Sequence, residues 1–259
     1  SILVYNNLQI KEVLVLYNNH IIEKNTINKA LEFIRKNDSG IYRIEQDISQ
    51  GYNKGFGNGY MTMDIYSSTY NPELHEFLRA AGLPFIPKLG IYNSTTQITD
   101  SILGTKYILS DNPNYPYIKL KKIDKCYIYI NENAFPMAVA VNKDILEINS
   151  YKNYRNPFEY QNEIMKKLFA ENKEFFIKSK VDQAELINVK IVENKDDKIA
   201  YEKIDKSKKA YLKYNIESKN KEKTTYLYVK NRKMALSEIY IEIDKNNMDK
   251  DIFDGAKIL

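Results

Sequence analysis

The feature that most constrains the fold is a change of pattern near Lys180. Before it, helical and strand periodicities alternate. After it, only strand alternation remains, in Ala184–Val192, Ile199–Ile204, Lys209–Ile216, Thr225–Val229 and Ile239–Ile243, joined by charged turns. Short alternating strands at a spacing of roughly 8–15 residues predict an antiparallel β-sandwich. Gly255 to Leu259 reads as the start of a further strand, so the sandwich is expected to be truncated at the C-terminus. The predicted class is α+β: a mixed helix and sheet module over residues 1–155, a connecting helix over 156–180, and the sandwich over 181–259.

Composition narrows the function classes. With 43% hydrophobic residues in 259, the chain can bury a sizeable core. No stretch approaches the roughly 20 apolar residues of a membrane helix. The single cysteine, Cys126, excludes an internal disulfide and a cysteine-based metal cluster. Its setting, Cys126-Tyr127-Ile128-Tyr129-Ile130, is that of a strand. The net charge of +5 comes from lysines interleaved with acids, as in Lys195-Asp196-Asp197-Lys198. That is a solvated, salt-bridged surface and not a nucleic-acid stripe, so no nucleic-acid partner is expected.

Local signals place the elements. Ile2 to Leu16 is ambiguous between helix and strand. Thr26 is read as the cap of a helix with Ile27, Ala30, Leu31 and Ile34 on one face. Ile41 to Gln46 alternates as a strand. Gln50 to Tyr60, with four glycines, lacks the Gly-Lys-Ser/Thr of a phosphate loop and reads as a surface loop. Asn71-Pro72 opens a short helix with Leu74, Phe77 and Leu78 inward and Gly82 past its end. Gly104 closes another, and Lys106 to Leu109 returns as a strand. Strands are expected over Tyr117–Leu120, Cys126–Ile130, Met137–Val141 and Ile145–Ile148. Asn156-Pro157 opens an amphipathic helix with Phe158, Gln161, Ile164, Met165, Leu168 and Phe169 inward. That face is expected to dock on the first module.

No catalytic constellation stands out. His20 and His75 lie in separate segments without HxH or HExxH spacing, and no Gly-x-Ser-x-Gly elbow exists. The sequence implies no metal ligands, no cofactor-binding residues and no catalytic residue. Two sites suit ligand binding. Arg43 can hold a carboxylate or phosphate bidentately, or pair inside the fold with a structural acid. Tyr66, Ser67 and Ser68 can line a sugar site, or their hydroxyls can bond the local backbone.

Four short motifs follow one another along the chain: Ile41-Tyr42-Arg43-Ile44-Glu45, Ile65-Tyr66-Ser67-Ser68-Thr69, Ser101-Ile102-Leu103-Gly104-Thr105-Lys106-Tyr107-Ile108-Leu109 and Asn156-Pro157-Phe158-Glu159-Tyr160-Gln161-Asn162. Between the second and third lies Phe77-Leu78-Arg79-Ala80-Ala81-Gly82. In order and spacing they resemble the large extracytoplasmic region of the YfhO family of bacterial multi-pass membrane proteins. The resemblance implies a parent enzyme that takes a sugar from a polyprenyl-phosphate donor outside the membrane. It also implies a role in decorating cell-wall polymers such as lipoteichoic acid, in a low-GC Gram-positive-like bacterium. The location implied is the extracytoplasmic face of the cell membrane. The implied partners are the membrane-embedded part of the parent chain and a cell-wall glycopolymer or polyprenyl-phosphate sugar. No residue here matches the family's catalytic loop, so the region would handle the acceptor, cover the donor site or give structural support. The rival reading is a free-standing carbohydrate-binding or adhesion module of the cell surface.

Overall fold

The computed structural model describes residues 24–47, 53–83, 89–90, 92, 95–148, 153–178, 183–195, 198–213 and 224–226. The reading of Ile2–Leu16, His20 and the strand at Ile239–Ile243 lies outside these residues. The fold is α+β, and the chain forms two compact units, Ser1–Phe175 with Tyr226–Leu259, and Phe176–Thr225.

The first unit is built on a mixed four-stranded sheet. Its strands are β1 (Arg43–Gln46), β4 (Thr105–Ser110), β5 (Ile118–Ile123) and β6 (Cys126–Ile130), in the order β1-β4-β6-β5. β1 and β4 are parallel, with Ile44 beside Tyr107 and Glu45 beside Ile108; the other pairs are antiparallel. A parallel pair needs a long crossover. Here the crossover holds α2 (Lys54–Asn58), β2 (Ile65–Tyr66), α3 (Pro72–Ala80), β3 (Leu89–Gly90) and α4 (Gln97–Ile102).

Helix α1, residues 24–37, lies on one face of the sheet. Its stripe of Ile27, Ala30, Leu31 and Ile34 packs with Ile44, Tyr107, Leu109, Cys126 and Ile128. The helical spacing read from the sequence is therefore the buried face. Thr26 is not the cap: it lies within the helix and its hydroxyl donates to Asp124 at 3.2 Å. Cys126 is fully buried, and burial pushes its thiol up to about 12, so it stays protonated and unreactive.

A second apolar cluster joins Met63, Leu78, Ala81, Leu83, Tyr160 and Ile164. It is formed by α3, α4 and α5 (Pro157–Phe169), which enclose a void of only ≈ 10 Å³. Both expected caps form: Asn71 Oδ1 accepts from the Glu73 and Leu74 amides, and Asn156 Oδ1 from the Glu159 amide. The inward face of α5 is shifted from the expected one. Tyr160, Gln161, Ile164 and Met165 are buried, Phe158 and Leu168 are half-buried, and Phe169 is exposed.

Three local readings are corrected. The glycine-rich segment is not all loop, because Lys54–Asn58 makes one helical turn. Residues 143–147 form a 3₁₀ turn, and Met137–Val141 forms no strand. In the second unit, Ala184–Val192 is two strands. β7 (Glu185–Ile187) pairs with β10 (Tyr211–Lys213), and β8 (Val189–Lys195) pairs with β9 (Lys198–Lys203), all antiparallel. Asn188, at φ 54°, makes the break, and its side chain exchanges two hydrogen bonds with the Asp205 backbone at 2.8 Å.

Candidate functional site

The sheet face opposite α1 holds a buried polar network. Its position follows from strand alternation: Ile44 points toward α1, so Glu45 points the other way. Glu45 is fully buried. It accepts the Thr62 hydroxyl at 2.6 Å and the Met63 amide at 2.5 Å. Next along the chain, buried Asp64 accepts the Tyr92 amide at 2.5 Å and pairs with Lys54 at 3.4 Å. The glycine-rich segment delivers Lys54. Gly55 lets it fold back, because a Cβ there would lie 2.4 Å from the Tyr60 carbonyl oxygen.

Asp100, on α4, is the second centre. Its carboxylate accepts the hydroxyls of Tyr92 at 3.0 Å, Thr95 at 3.3 Å and Tyr117 at 2.5 Å. The helix that carries it starts at Thr96, whose hydroxyl and that of Thr99 cap each other's backbone amides. The Thr96 hydroxyl also donates to Gln161 Oε1 at 2.5 Å, and Gln161 Nε2 donates to the Ala81 carbonyl at 2.8 Å. Gly82 follows at φ 99°, where a Cβ would meet Pro157 at 3.1 Å.

Burial governs the charges. It lifts the Glu45 carboxyl to about 8 against the pull of Thr62 and Met63, and nearby Asp64 and Asp100 add to the rise. It lifts Asp100 to about 7 against its three hydroxyl donors. Asp64 is raised by burial and partly restored by the Tyr92 amide and Lys54. Tyr92, Tyr115 and Tyr117 are pushed well above the usual phenol range by burial, so they stay protonated as donors. The acids are thus enclosed and engaged by donors from the fold itself. Chemically, the arrangement joins separate segments and keeps Glu45 protonated at neutral pH.

The residues singled out from the sequence lie elsewhere. Arg43 is half-buried and donates to the Leu103 carbonyl; among the described residues no acid pairs with it. The Tyr66 ring is exposed, while its backbone amide and carbonyl are clamped by the Asn53 side chain at 2.9 and 3.0 Å. Ser67 Oγ donates to the Thr69 carbonyl at 2.6 Å, so this hydroxyl bonds the local backbone, and Ser68 is exposed. Arg43 therefore joins the first motif to the third, and Ser67 and Ser68 follow Tyr66, the last residue of β2, along the surface. Among the described residues no group of acids, histidines or cysteines is placed to hold a metal.

The network reaches all four motifs: Glu45 in the first, Asp64 beside the second, Asp100 beside the third, and Gln161 in the fourth. A family model described as bacterial membrane protein YfhO matches residues 6–254. The chain belongs to the YfhO family. No helix among the described residues of this family member is long and apolar enough to cross a membrane. No curated protein and no solved structure matches the chain.

Proposed function

We propose that this YfhO-family region stands on the extracytoplasmic face of the cell membrane, within a polytopic protein resembling the glycosyltransferases that decorate cell-wall polymers such as lipoteichoic acid. Its role is acceptor handling or structural support, and sugar transfer is catalysed by the membrane-embedded part of the parent chain. The carrying observation is family membership across residues 6–254, joined to the enclosure of the acids. Glu45 and Asp100 are buried and engaged by protein donors, so neither is free to act on a sugar in solution. The exposed rings of Tyr66 and Tyr70, beside Ser68, suit stacking on a glycan and hydrogen bonding to its hydroxyls.

The test is made in the full-length membrane protein. Tyr66→Ala should reduce glycosylation of the cell-wall polymer, read by mass spectrometry of lipoteichoic acid, at unchanged protein level. The 259-residue chain alone should not turn over a polyprenyl-phosphate sugar. Turnover by this chain, or full polymer decoration in Tyr66→Ala, would overturn the reading.

A further inference from the structure

Between Glu132 and Lys143 the sequence has no ionisable side chain. This run, Asn133-Ala134-Phe135-Pro136-Met137-Ala138-Val139-Ala140-Val141-Asn142, is where a strand is expected and none forms. Met137, Val139 and Val141 are exposed, Val139 at 50%. The run is anchored at both ends: the Phe135 amide donates to the Ser101 carbonyl at 2.9 Å, and the Asn142 amide to the Leu168 carbonyl at 3.2 Å. The anchoring joins it to two further exposed apolar groups. Phe169 meets Phe135 ring to ring at 6.0 Å, and Leu146, 81% exposed, sits on the adjoining 3₁₀ turn. Exposed apolar side chains gathered this way mark an interaction surface.

We infer that this face, centred on Val139 and continued by Leu146 and Phe169, rests in the lipid interface of the bilayer. The occupant follows from the family, whose members are bacterial membrane proteins, and from the apolar chemistry of the face. Its interior carries no charge to desolvate. Its border is mixed, with Glu132 and Lys143 exposed at the two ends of the run and Lys167 paired with Glu147 at 2.6 Å, so burial of apolar surface and not a cationic rim holds the face in the interface. The inference rests on family membership and not on the glycosyltransferase reading, so either can fail alone.

The chain contains no tryptophan, which makes a clean reporter available. Val139→Trp is mixed with phosphatidylcholine vesicles carrying brominated acyl chains, in low salt and in about 0.5 M NaCl, where surface electrostatics is screened. Its emission should shift to the blue and be quenched in both. A control, Leu120→Trp on edge strand β5, should remain water-like and unquenched. Val139→Asp, with an unchanged near-ultraviolet spectrum, should weaken vesicle partitioning by about tenfold or more, since it places a charge in the apolar interface. Absence of quenching at position 139 would overturn the inference. So would equal quenching at 120, binding only to anionic vesicles that vanishes in salt, or a lipid-free dimer abolished by Val139→Asp without vesicle binding.

Discussion

At the residue scale, the decisive side chain is Glu45. Burial, with the nearby Asp64 and Asp100, holds the proton on this carboxyl to about 8, and among the described residues no cation pairs with it. The amide of Glu45→Gln can accept from Met63 and donate to Thr62, so this change should preserve the fold and stabilise it at pH 8. Glu45→Ala strands a buried amide and a hydroxyl and leaves a cavity. It should cost about 2–4 kcal/mol, measured by denaturant unfolding. Gly82→Ala should cost roughly 1–3 kcal/mol, because a side chain at φ 99° is strained and its Cβ presses on Pro157. Sequence legibility divides along the same line. Asn71-Pro72 and Asn156-Pro157 were readable because a cap and the amides it bonds lie within three residues of each other. Asp64 and Asp100 were not singled out, because their partners are set by the crossover. The Thr96 to Gln161 bond spans 65 positions, and nothing local marks either end. For Arg43 the sequence leaves a ligand, a structural acid or backbone carbonyls open as partners; it is half-buried, and the third motif brings it the Leu103 carbonyl.

At the element scale, α5 is the piece that closes the first unit. Its buried face is set by Gln161, which must reach Thr96 and the Ala81 carbonyl, and this turns Tyr160, Ile164 and Met165 inward. Phe169 is left outside, although hydrophobicity alone places it with Leu168. Ile164→Ala should therefore destabilise by about 2–5 kcal/mol, whereas Phe169→Ala should cost under about 1 kcal/mol. Equal costs in a chemical melt would show that the apolar pattern, and not Gln161, sets the face. Strands with clean alternation and a covered face, such as β6, were legible to the residue. Met137–Val141 is likewise apolar but has no neighbouring strand to pair with among the described residues, and β-propensity by itself does not make a strand. In the second unit the break at Asn188 was hidden because its positive φ depends on the bonds to Asp205.

At the scale of the whole molecule, the central claim is that one buried, acid-bearing network joins the four motifs into a single unit with Glu45 protonated. The pH dependence follows from sign. Glu45 and Asp100 have folded values of about 8 and 7, above their ordinary 4.5 and 3.8. Between roughly pH 5 and 8 the folded chain binds more protons than the unfolded one. The stability these groups supply is full below pH 4 and is lost as the pH rises through the folded values. Each such proton contributes up to about 1.4 kcal/mol per pH unit. The most direct measurement is the denaturant midpoint of the wild-type chain and of Glu45→Gln at pH 5 and pH 8, followed by near-ultraviolet circular dichroism of the buried tyrosines. The account predicts a wild-type chain less stable at pH 8 than at pH 5, and a smaller loss in Glu45→Gln. A wild-type stability that is flat or rises over that interval, or the same loss in both chains, would contradict it.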